Sequence, residues 1–579
     1  TFAGDVNVQD NLYLQDGSTT RAKIQLNASD TDDLDIKAVS LGSKMKFFTV
    51  DTERMRISAD GTLTVGGQTS TRLVTTITEN DNVNIDSRDG TTTARKLSFS
   101  TGGAQRFILS SDGDVYNYQS GNKANTYYGY DAGNYDGTGG SNTVMGYAAS
   151  PALTTGAQNV SIGRDASNDL TTGSSNVAIG MNAGAKNVDG QQNTYIGTEA
   201  GYTSPGQNYN TFVGRAAGFY NVANECTGIG RNAMHSNTSG VRNTSLGFNS
   251  LFANQTGDGN VAVGYKALQD ATGDESTAIG DRALAQLTTG VQNISIGTES
   301  GFSENTGSNQ IFIGFRSGYN IKNTVTASGE NVIIGHQAAL NRTGGTENVF
   351  IGSLVNYIGV GTGSNNVVVG RYSGAKMTSA NRCTFLGHQA GAEVTTGPNN
   401  TFIGKGAGDA TTTGSNNTHV GQAAGDEATI GDYNICIGHG SGSGSSPFQL
   451  TTQSGRVVIG DNSIGNAYIK VAWTVTSDSR DKTEFKDIAY GLDFVNKLKP
   501  TSYKFRKDRD TEETQGKEKY GFLAQDILEL EGDNPVIIDN ENLDSLKYNE
   551  SSLIPVLVNA IQELTAKVDM LEKKCQCKN

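Results

Sequence analysis

Asn159-Val160-Ser161-Ile162-Gly163 returns 17 residues later as Asn176-Val177-Ala178-Ile179-Gly180. The same order appears in Asn293-Ile294-Ser295-Ile296-Gly297 and in Asn400-Thr401-Phe402-Ile403-Gly404. Each unit reads asparagine, often a β-branched residue, a variable residue, an aliphatic residue and glycine. The pattern runs from Asn125 to Gly460, and most steps between successive glycines are 17 residues. The apolar positions one and three before the glycine alternate as in a short strand, with that face expected to be buried. Glycine supplies a backbone conformation or a close approach that other residues resist, and the small residue three places later leaves room for a tight corner. A unit this short cannot bury its strand alone, so units must stack. Stacked asparagines are expected to form amide ladders. At ~4.8 Å per rung, twenty rungs make a rod of roughly 95 Å.

Five steps are irregular: two of 16 residues, one of 18, one of 21 and one of 22. The two long ones cover 315–335 and 439–460, and loops of this kind are where a rod presents binding groups. The whole region resembles the head repeats of trimeric bacterial adhesins and of some phage fibres, which form β-rolls or β-helices. Its period differs from the usual adhesin period, so single-chain and three-chain winding both stay open.

Composition agrees with repeated turns: 74 of the 579 residues are glycine and seven are proline, with no Gly-X-Y period. The formal net charge of −14 weighs against nucleic acid as a partner, because phosphate binding needs a basic surface. Cys226, Cys383, Cys436, Cys575 and Cys577 are sparse and odd in number, so no disulfide framework is implied. No apolar run approaches the ~20 residues of a membrane span. His235, His336, His388, His419 and His439 share no metal-ligand spacing, and neither a metal nor a cofactor is expected.

Residues 1–120 read as short strands and turns of a β-rich shaft. Lys44-Met45-Lys46-Phe47 through Asp60-Gly61 recurs 52 residues later as Lys96-Leu97-Ser98-Phe99 through Asp112-Gly113. Asp-Gly between alternating strands signals a hairpin. Arg54 and Arg106 occupy matching places and are expected to make structural ion pairs.

After a rod at 121–465 and a linker at 466–476, the grammar changes. The segment 477–579 has four glycines and is rich in Lys and Glu. Ile554, Leu557, Ile561, Leu564, Val568, Leu571 and then Cys575 alternate steps of three and four, the period of a coiled-coil seam, over about 553–575. Three blocks precede it: Ser477-Asp478-Ser479-Arg480-Asp481-Lys482, Gly491-Leu492-Asp493-Phe494-Val495-Asn496-Lys497-Leu498-Lys499-Pro500, and Tyr520-Gly521-Phe522-Leu523-Ala524-Gln525-Asp526. In this order they resemble the self-cleaving intramolecular chaperone domain of phage tailspikes and tail fibres, classed as a serine peptidase. A related domain occurs in a eukaryotic membrane-bound transcription factor, a reading that the β-repeat rod disfavours.

That resemblance implies a mainly β fold: an elongated trimeric fibre of stacked 17-residue repeats, then an α+β chaperone domain ending in a coiled coil. It implies a homotrimer held in register while it folds. It places the nucleophile on Ser477, its base on Lys482 and the cut between Thr476 and Ser477, with Asp478 and Arg480 as supporting neighbours. Released and retained forms of the domain both stay open. The expected setting is a virion tail fibre, made in the host cytoplasm. Its expected partners are a host cell-surface glycan or protein receptor and other virion tail proteins, with neither nucleic acid nor membrane insertion. A glycan-degrading tailspike is the alternative, and it needs two carboxylates across the scissile bond. No spacing singles out a pair among Asp258, Asp270, Asp274 and Glu275. Two aromatic clusters, Tyr127, Tyr128, Tyr130 and Tyr135, then Tyr202, Tyr209, Phe219 and Tyr220, are expected to pack the rod's edge. A bacterial trimeric adhesin is disfavoured, since adhesins of that type end in a membrane-anchoring barrel.

Overall fold

The computed structural model describes residues 125–576, apart from 135–136, 323–328, 472–473, 508 and 510, and the backbone of strands between Asn11 and Tyr116. The chain divides into two compact units, Thr1–Arg95 and Lys96–Asn579. The first holds two antiparallel three-stranded sheets: Asn11–Asp16, Thr19–Leu26 and Leu34–Ala38, then Met45–Thr49, Thr52–Ile57 and Leu63–Val65. The second unit opens with a third such sheet, Leu97–Thr101, Ala104–Leu109 and Val115–Tyr116. Met45 pairs with Ile57 as Leu97 pairs with Leu109, and the register slips after Phe47 as it does after Phe99. The longer sequence repeat is thus one three-stranded meander used twice. The Arg54 and Arg106 side chains and both Asp-Gly turns lie outside the described residues.

From Thr126–Tyr128 to Val457–Ile459, twenty three-residue strands form one parallel sheet in sequence order. Each strand pairs in register with the next, as Val160 does with Val177 and Val177 with Thr194. One chain therefore winds the β-solenoid by itself. The longer steps leave this ladder intact: Ile311 pairs with Val332 across one and Ile435 with Val457 across the other. Residues 323–328 of the first long loop lie outside the described residues.

The inward strand residue is the middle one, two before the glycine. Tyr195, Phe212, Phe312, Phe350, Phe385 and Phe402 are fully buried there, each contributing roughly 2–3 kcal/mol. This overturns the expectation that the alternating aliphatic positions form the buried face. A strand alternates its side chains between two faces. The asparagine before the strand and the middle residue already fill the narrow interior, so the first and third residues point out. Val160 and Ile162 are only partly covered, whereas Ser161 between them is buried.

Size is balanced within many coils and, in others, between neighbours: Tyr195 of the next coil fills the space at Gly184. Where the inward strand residue is aromatic, glycine commonly stands six residues later, as in Tyr195/Gly201, Phe212/Gly218 and Phe402/Gly408. A Cβ added at Gly218 would lie 2.5 Å from the Phe212 ring. In four coils with a small strand residue a large one stands six places later, as in Gly228/Met234, Ser245/Leu251 and Ala262/Leu268, all six inside. Complementary volumes keep the interior at close-packed density.

The anchoring glycines have a separate reason. Gly297 has φ +135° and Gly314 φ +127°, a region closed to other residues. A Cβ at Gly297 would stand 2.5 Å from the Gly314 carbonyl oxygen of the next coil.

The asparagines form the expected ladder, running along the inside of the rod. Asn159 Oδ1 accepts the backbone N–H of Asn176 at 2.9 Å, and Asn159 Nδ2 donates to the Gly173 carbonyl at 2.9 Å. Asn176 repeats both contacts with Asn193 and Gly190. Buried amides that satisfy backbone groups in this way avoid the desolvation cost of an unpaired polar group. Cys226 and Cys383 take the same position, donating from Sγ to the carbonyls of Gly240 and Gly397. They are buried and unbridged, and burial pushes each thiol up to about 11.

His419 is the exception among the inward strand residues. It is fully buried beside Phe402, with ring centroids 4.9 Å apart, and neither ring nitrogen has a hydrogen-bond partner. Burial pushes its pKa down to about 4. The unfolded chain binds a proton near the ordinary histidine value and the folded chain resists it. Stability present above that ordinary value is therefore lost as pH falls, and the loss levels off below about 4. His419→Phe is expected to be more stable than the parent by about 2 kcal/mol more at pH 5 than at pH 7.5, read from urea unfolding. A gap that does not change with pH would contradict the assignment.

The remaining histidines serve the surface. His235 stacks between Phe219 and Phe252, His336 stacks on Phe315, His388 meets the edge of Tyr372, and His439 pairs with Asp461.

Beyond the rod, the described residues between Ser477 and Gln576 form a small α+β domain. Its core joins Phe494 of helix α1 (Leu492–Val495), Ile527 of helix α2 (Ala524–Glu531), Ile537 and Ile538, and Leu553 and Val556 of helix α3 (Glu550–Gln576). A hairpin of Thr501–Arg506 and Thr514–Gly521 precedes α2. The Glu531 carboxylate is buried and accepts the backbone N–H groups of Val536, Ile537 and Ile538 at 2.8–2.9 Å. Glu563 holds α3 to α1 by accepting the Leu492 N–H at 2.9 Å. Among the described residues, no helix is long and apolar enough to cross a membrane.

Candidate functional site

Ser477 and Lys482 lie between the rod and the core of the C-terminal domain. Asp478 caps a short 3-10 turn at Ser479–Asp481, its carboxylate accepting the Arg480 N–H at 2.8 Å. That turn folds the chain back on itself, and Lys482 Nζ donates to Ser477 Oγ at 2.6 Å. Both side chains are exposed in the single chain. Arg480 faces Asp478, with Nη2 2.6 Å from Oδ2. The hydrogen bonds of this pair lower the Asp478 carboxyl and raise the Arg480 guanidinium. Arg480 is thus matched by an opposite charge, which offsets its field at the Lys482 amine.

The chain around the pair is extended and poorly covered. Tyr468 is 92% exposed, Val475 79% and Phe485 72%.

The C-terminal domain grips the end of the rod. The last inward-ladder position holds Arg456 in place of asparagine. Its backbone N–H still reaches Asn434 Oδ1 at 2.9 Å, while its guanidinium leaves the ladder and meets Glu541 at 2.8 Å. Lys547 Nζ stands 4.2 Å from the Phe448 ring centroid, and Gln515 Nε2 donates to the Asn462 carbonyl at 2.5 Å. Phe448 belongs to the 22-residue step, so that long loop faces the domain.

Helix α3 has two apolar faces. Leu553, Val556 and Ala560 pack into the domain, whereas the seam residues Ile554, Leu557, Ile561, Leu564, Val568 and Leu571 are exposed at 38–62%. Cys575 is exposed and unbridged, and Cys577 lies outside the described residues.

The loop carboxylates have structural work. Asp258 accepts the Val241 N–H at 2.7 Å, and Asp274 the Asp258 N–H at 2.9 Å. Asp270 takes a hydrogen bond from Gln269, and Glu275 one from Gln292. The aromatic clusters stack on themselves: Tyr130 on Tyr147, and Tyr202, Phe219, His235 and Phe252 in one column at 4.9–5.3 Å. Tyr128, Tyr130 and Tyr209 stay 74%, 75% and 60% exposed, whereas Tyr127 is buried inside the rod and not at the edge expected for it. Tyr135 lies outside the described residues.

Sequence reading marked the Ser-Lys pair but not the grip of the domain on the rod. Arg456 in an asparagine position is the signal that points to it.

A solenoid rod that passes into a small domain with a long terminal helix fits a phage tail fibre or tailspike carrying a C-terminal chaperone. Residues 477–534 match the family described as the chaperone of endosialidase, and the match begins at Ser477 itself. Comparison with curated proteins and with solved structures gives no match.

Proposed function

We propose that this chain is a homotrimeric virion tail-fibre protein whose C-terminal domain aligns three copies and then cuts itself free between Thr476 and Ser477. The rod contacts a host cell-surface glycan or protein, and other virion tail proteins hold the fibre. The observation that carries this reading is the 2.6 Å contact between Lys482 Nζ and Ser477 Oγ at the first residue of the chaperone match.

A lysine amine acts as a base only when neutral, a form favoured by burial or by a neighbouring cation. In one chain the pair is exposed. Assembly through the bare α3 seam and the uncovered apolar segment around Tyr468 and Phe485 buries it and so links the cut to completed alignment. Ser477 Oγ then attacks the Thr476 carbonyl carbon, giving its proton to Lys482 Nζ. The amine passes that proton to the departing Ser477 nitrogen, which leaves an ester between Thr476 and Ser477 Oγ. Water hydrolyses the ester to a Thr476 carboxylate and a free Ser477 hydroxyl and amine. Each chain performs this once.

Ser477→Ala and Lys482→Met are each expected to slow the cut at least ~100-fold, within the range of losing a nucleophile or its base. Both should leave the oligomer intact, as read by denaturing electrophoresis beside light scattering. Cutting at the parental rate in either variant would refute the dyad.

A further inference from the structure

One inward position of the rod holds a cation with no counter-charge. The column seven residues after each anchoring glycine runs through Leu153, Leu170, Asn187, Asn221, Asn254 and Leu287, all buried. From Leu153 to Ala428 its charged members are Glu304 and Arg342. Glu304 caps its own coil, its carboxylate accepting the N–H groups of Asn305, Thr306 and Gly307 at 2.8–3.1 Å. Arg342 is 1% exposed and reaches into the next coil instead. That coil carries Gly359 in this column, so no side chain stands in the way. Arg342 Nη2 donates to the Gly363 carbonyl, and Cζ lies 5.0 Å from the Phe350 ring centroid. Nε and Nη1 have no hydrogen-bond partner, and among the described residues no carboxylate pairs with the charge. Burial pulls the guanidinium down to about 10, so it keeps its proton at neutral pH. A buried charge of this kind costs stability that an apolar residue of similar volume would not, and its best-attested use is to fix register.

We propose that Arg342 is a register key within the single chain: it seats on the coil that carries Gly359 and rejects a pairing displaced by one coil. The flanking coils supply the reason. If residues 353–370 were left out of the stack, Arg342 would face Met377, which is fully buried and fills the same column. The guanidinium would lose both its room and the Gly363 carbonyl, and a buried donor without an acceptor is costly. If residues 336–352 were left out, the buried Ile321 would lie over Gly359 and leave a void. The asparagine ladder and the glycine corner recur in nearly every coil and tolerate either slip, whereas this position does not. The device depends neither on the cut nor on the number of chains in the fibre.

The test uses the full chain with Cys575→Ser and Cys577→Ser and one of two cysteine pairs on outward strand positions. Ile334 pairs with Ile351, and Ile351 with Val369. Adjacent rungs stand ~4.8 Å apart and alternate rungs ~9.6 Å, so a disulfide joins neighbours alone. Ile334→Cys with Ile351→Cys reports the native register, and Ile334→Cys with Val369→Cys the slipped one. Each protein is refolded rapidly under reductant and oxidised once folded. Linked peptides are then quantified by mass spectrometry from the single-chain band of a denaturing gel. Arg342→Met is expected to raise the slipped link at least ~10-fold, the range set by one buried polar contact that no longer discriminates. Met377→Gly, which opens a second seat for an intact Arg342, should raise it as well, and decides alone should Arg342→Met not fold. Val394→Ala makes a cavity in the same column and is the control for lost stability; it should leave the slipped link at the parental level. Parental levels in Arg342→Met and Met377→Gly, or an equal rise in Val394→Ala, would overturn the key.

Discussion

Gly297→Val is expected to destabilise the rod by about 4 kcal/mol or more, combining backbone strain with overpacking. At φ +135° the valine would hold a backbone conformation open almost solely to glycine. Its Cβ would also stand 2.5 Å from the Gly314 carbonyl oxygen. That oxygen is main chain and cannot swing aside. Moving it means parting two rungs joined by the Gly314 N–H to Ile296 carbonyl bond at 2.8 Å and by the strand pairs beside it. The neighbouring exposed Thr298 is the control, and Thr298→Val should change stability by under about 0.5 kcal/mol. Urea midpoints of the two variants against the parent decide the matter. A Gly297→Val protein within 1 kcal/mol of the parent, by the typical spread of surface changes, would contradict the steric account of the repeat.

Deleting residues 477–579 is expected to lower the yield of soluble folded rod at least ~10-fold, because slow non-local strand pairing exposes edges that aggregate. The twenty strands are near copies of one another, so a pairing displaced by one coil keeps most contacts and register is weakly specified. The domain supplies what the repeat lacks. Its grip at Arg456 and Phe448 fixes where the last rung ends, and in the proposed trimer an assembled α3 would bring three such ends to one height. Once the rod has formed, its ladders no longer need the clamp, so the same deletion made by cutting the folded fibre should leave it soluble. The measurement is the folded fraction by size-exclusion chromatography and circular dichroism, for the truncated gene and for fibre processed after folding. Equal yields from the two would mean that the rod aligns itself.

Much of this architecture is legible in the residues. The Asn and Gly positions of each unit announce a stacked strand and a close approach, and both are in place. The Asp-Gly repeat of the first 120 residues foretells the duplicated meander. The direction of the strand was misread, because aliphatic residues are expected inside by default. In a coil this narrow the variable residue is the inward one, and the regular Ile and Val columns face out. The signal that reveals this is the six-residue coupling of aromatic with glycine, as in Phe385/Gly391, and of small with large, as in Ala278/Leu284. Coupled volumes mark residues that share an interior, whereas an invariant aliphatic column marks a surface that repeats. For the candidate site, the family resemblance named Ser477 and Lys482 but not the turn capped by Asp478 that brings them together. That Arg480 is taken up by Asp478 depends on side-chain geometry, which spacing does not carry. Helix α3 was legible from its three-and-four apolar steps. Its second apolar face, at Leu553 and Val556, was hidden because both faces share the same three-and-four steps near the start of the helix.

The central claim is that a domain which aligns the rod also severs itself from it. Intact mass of the purified, assembled protein, with N-terminal sequencing of its smaller fragment, tests this most directly. The account predicts two species, a fibre chain ending at Thr476 and a fragment beginning at Ser477. A single uncut chain in fully assembled fibres would contradict it.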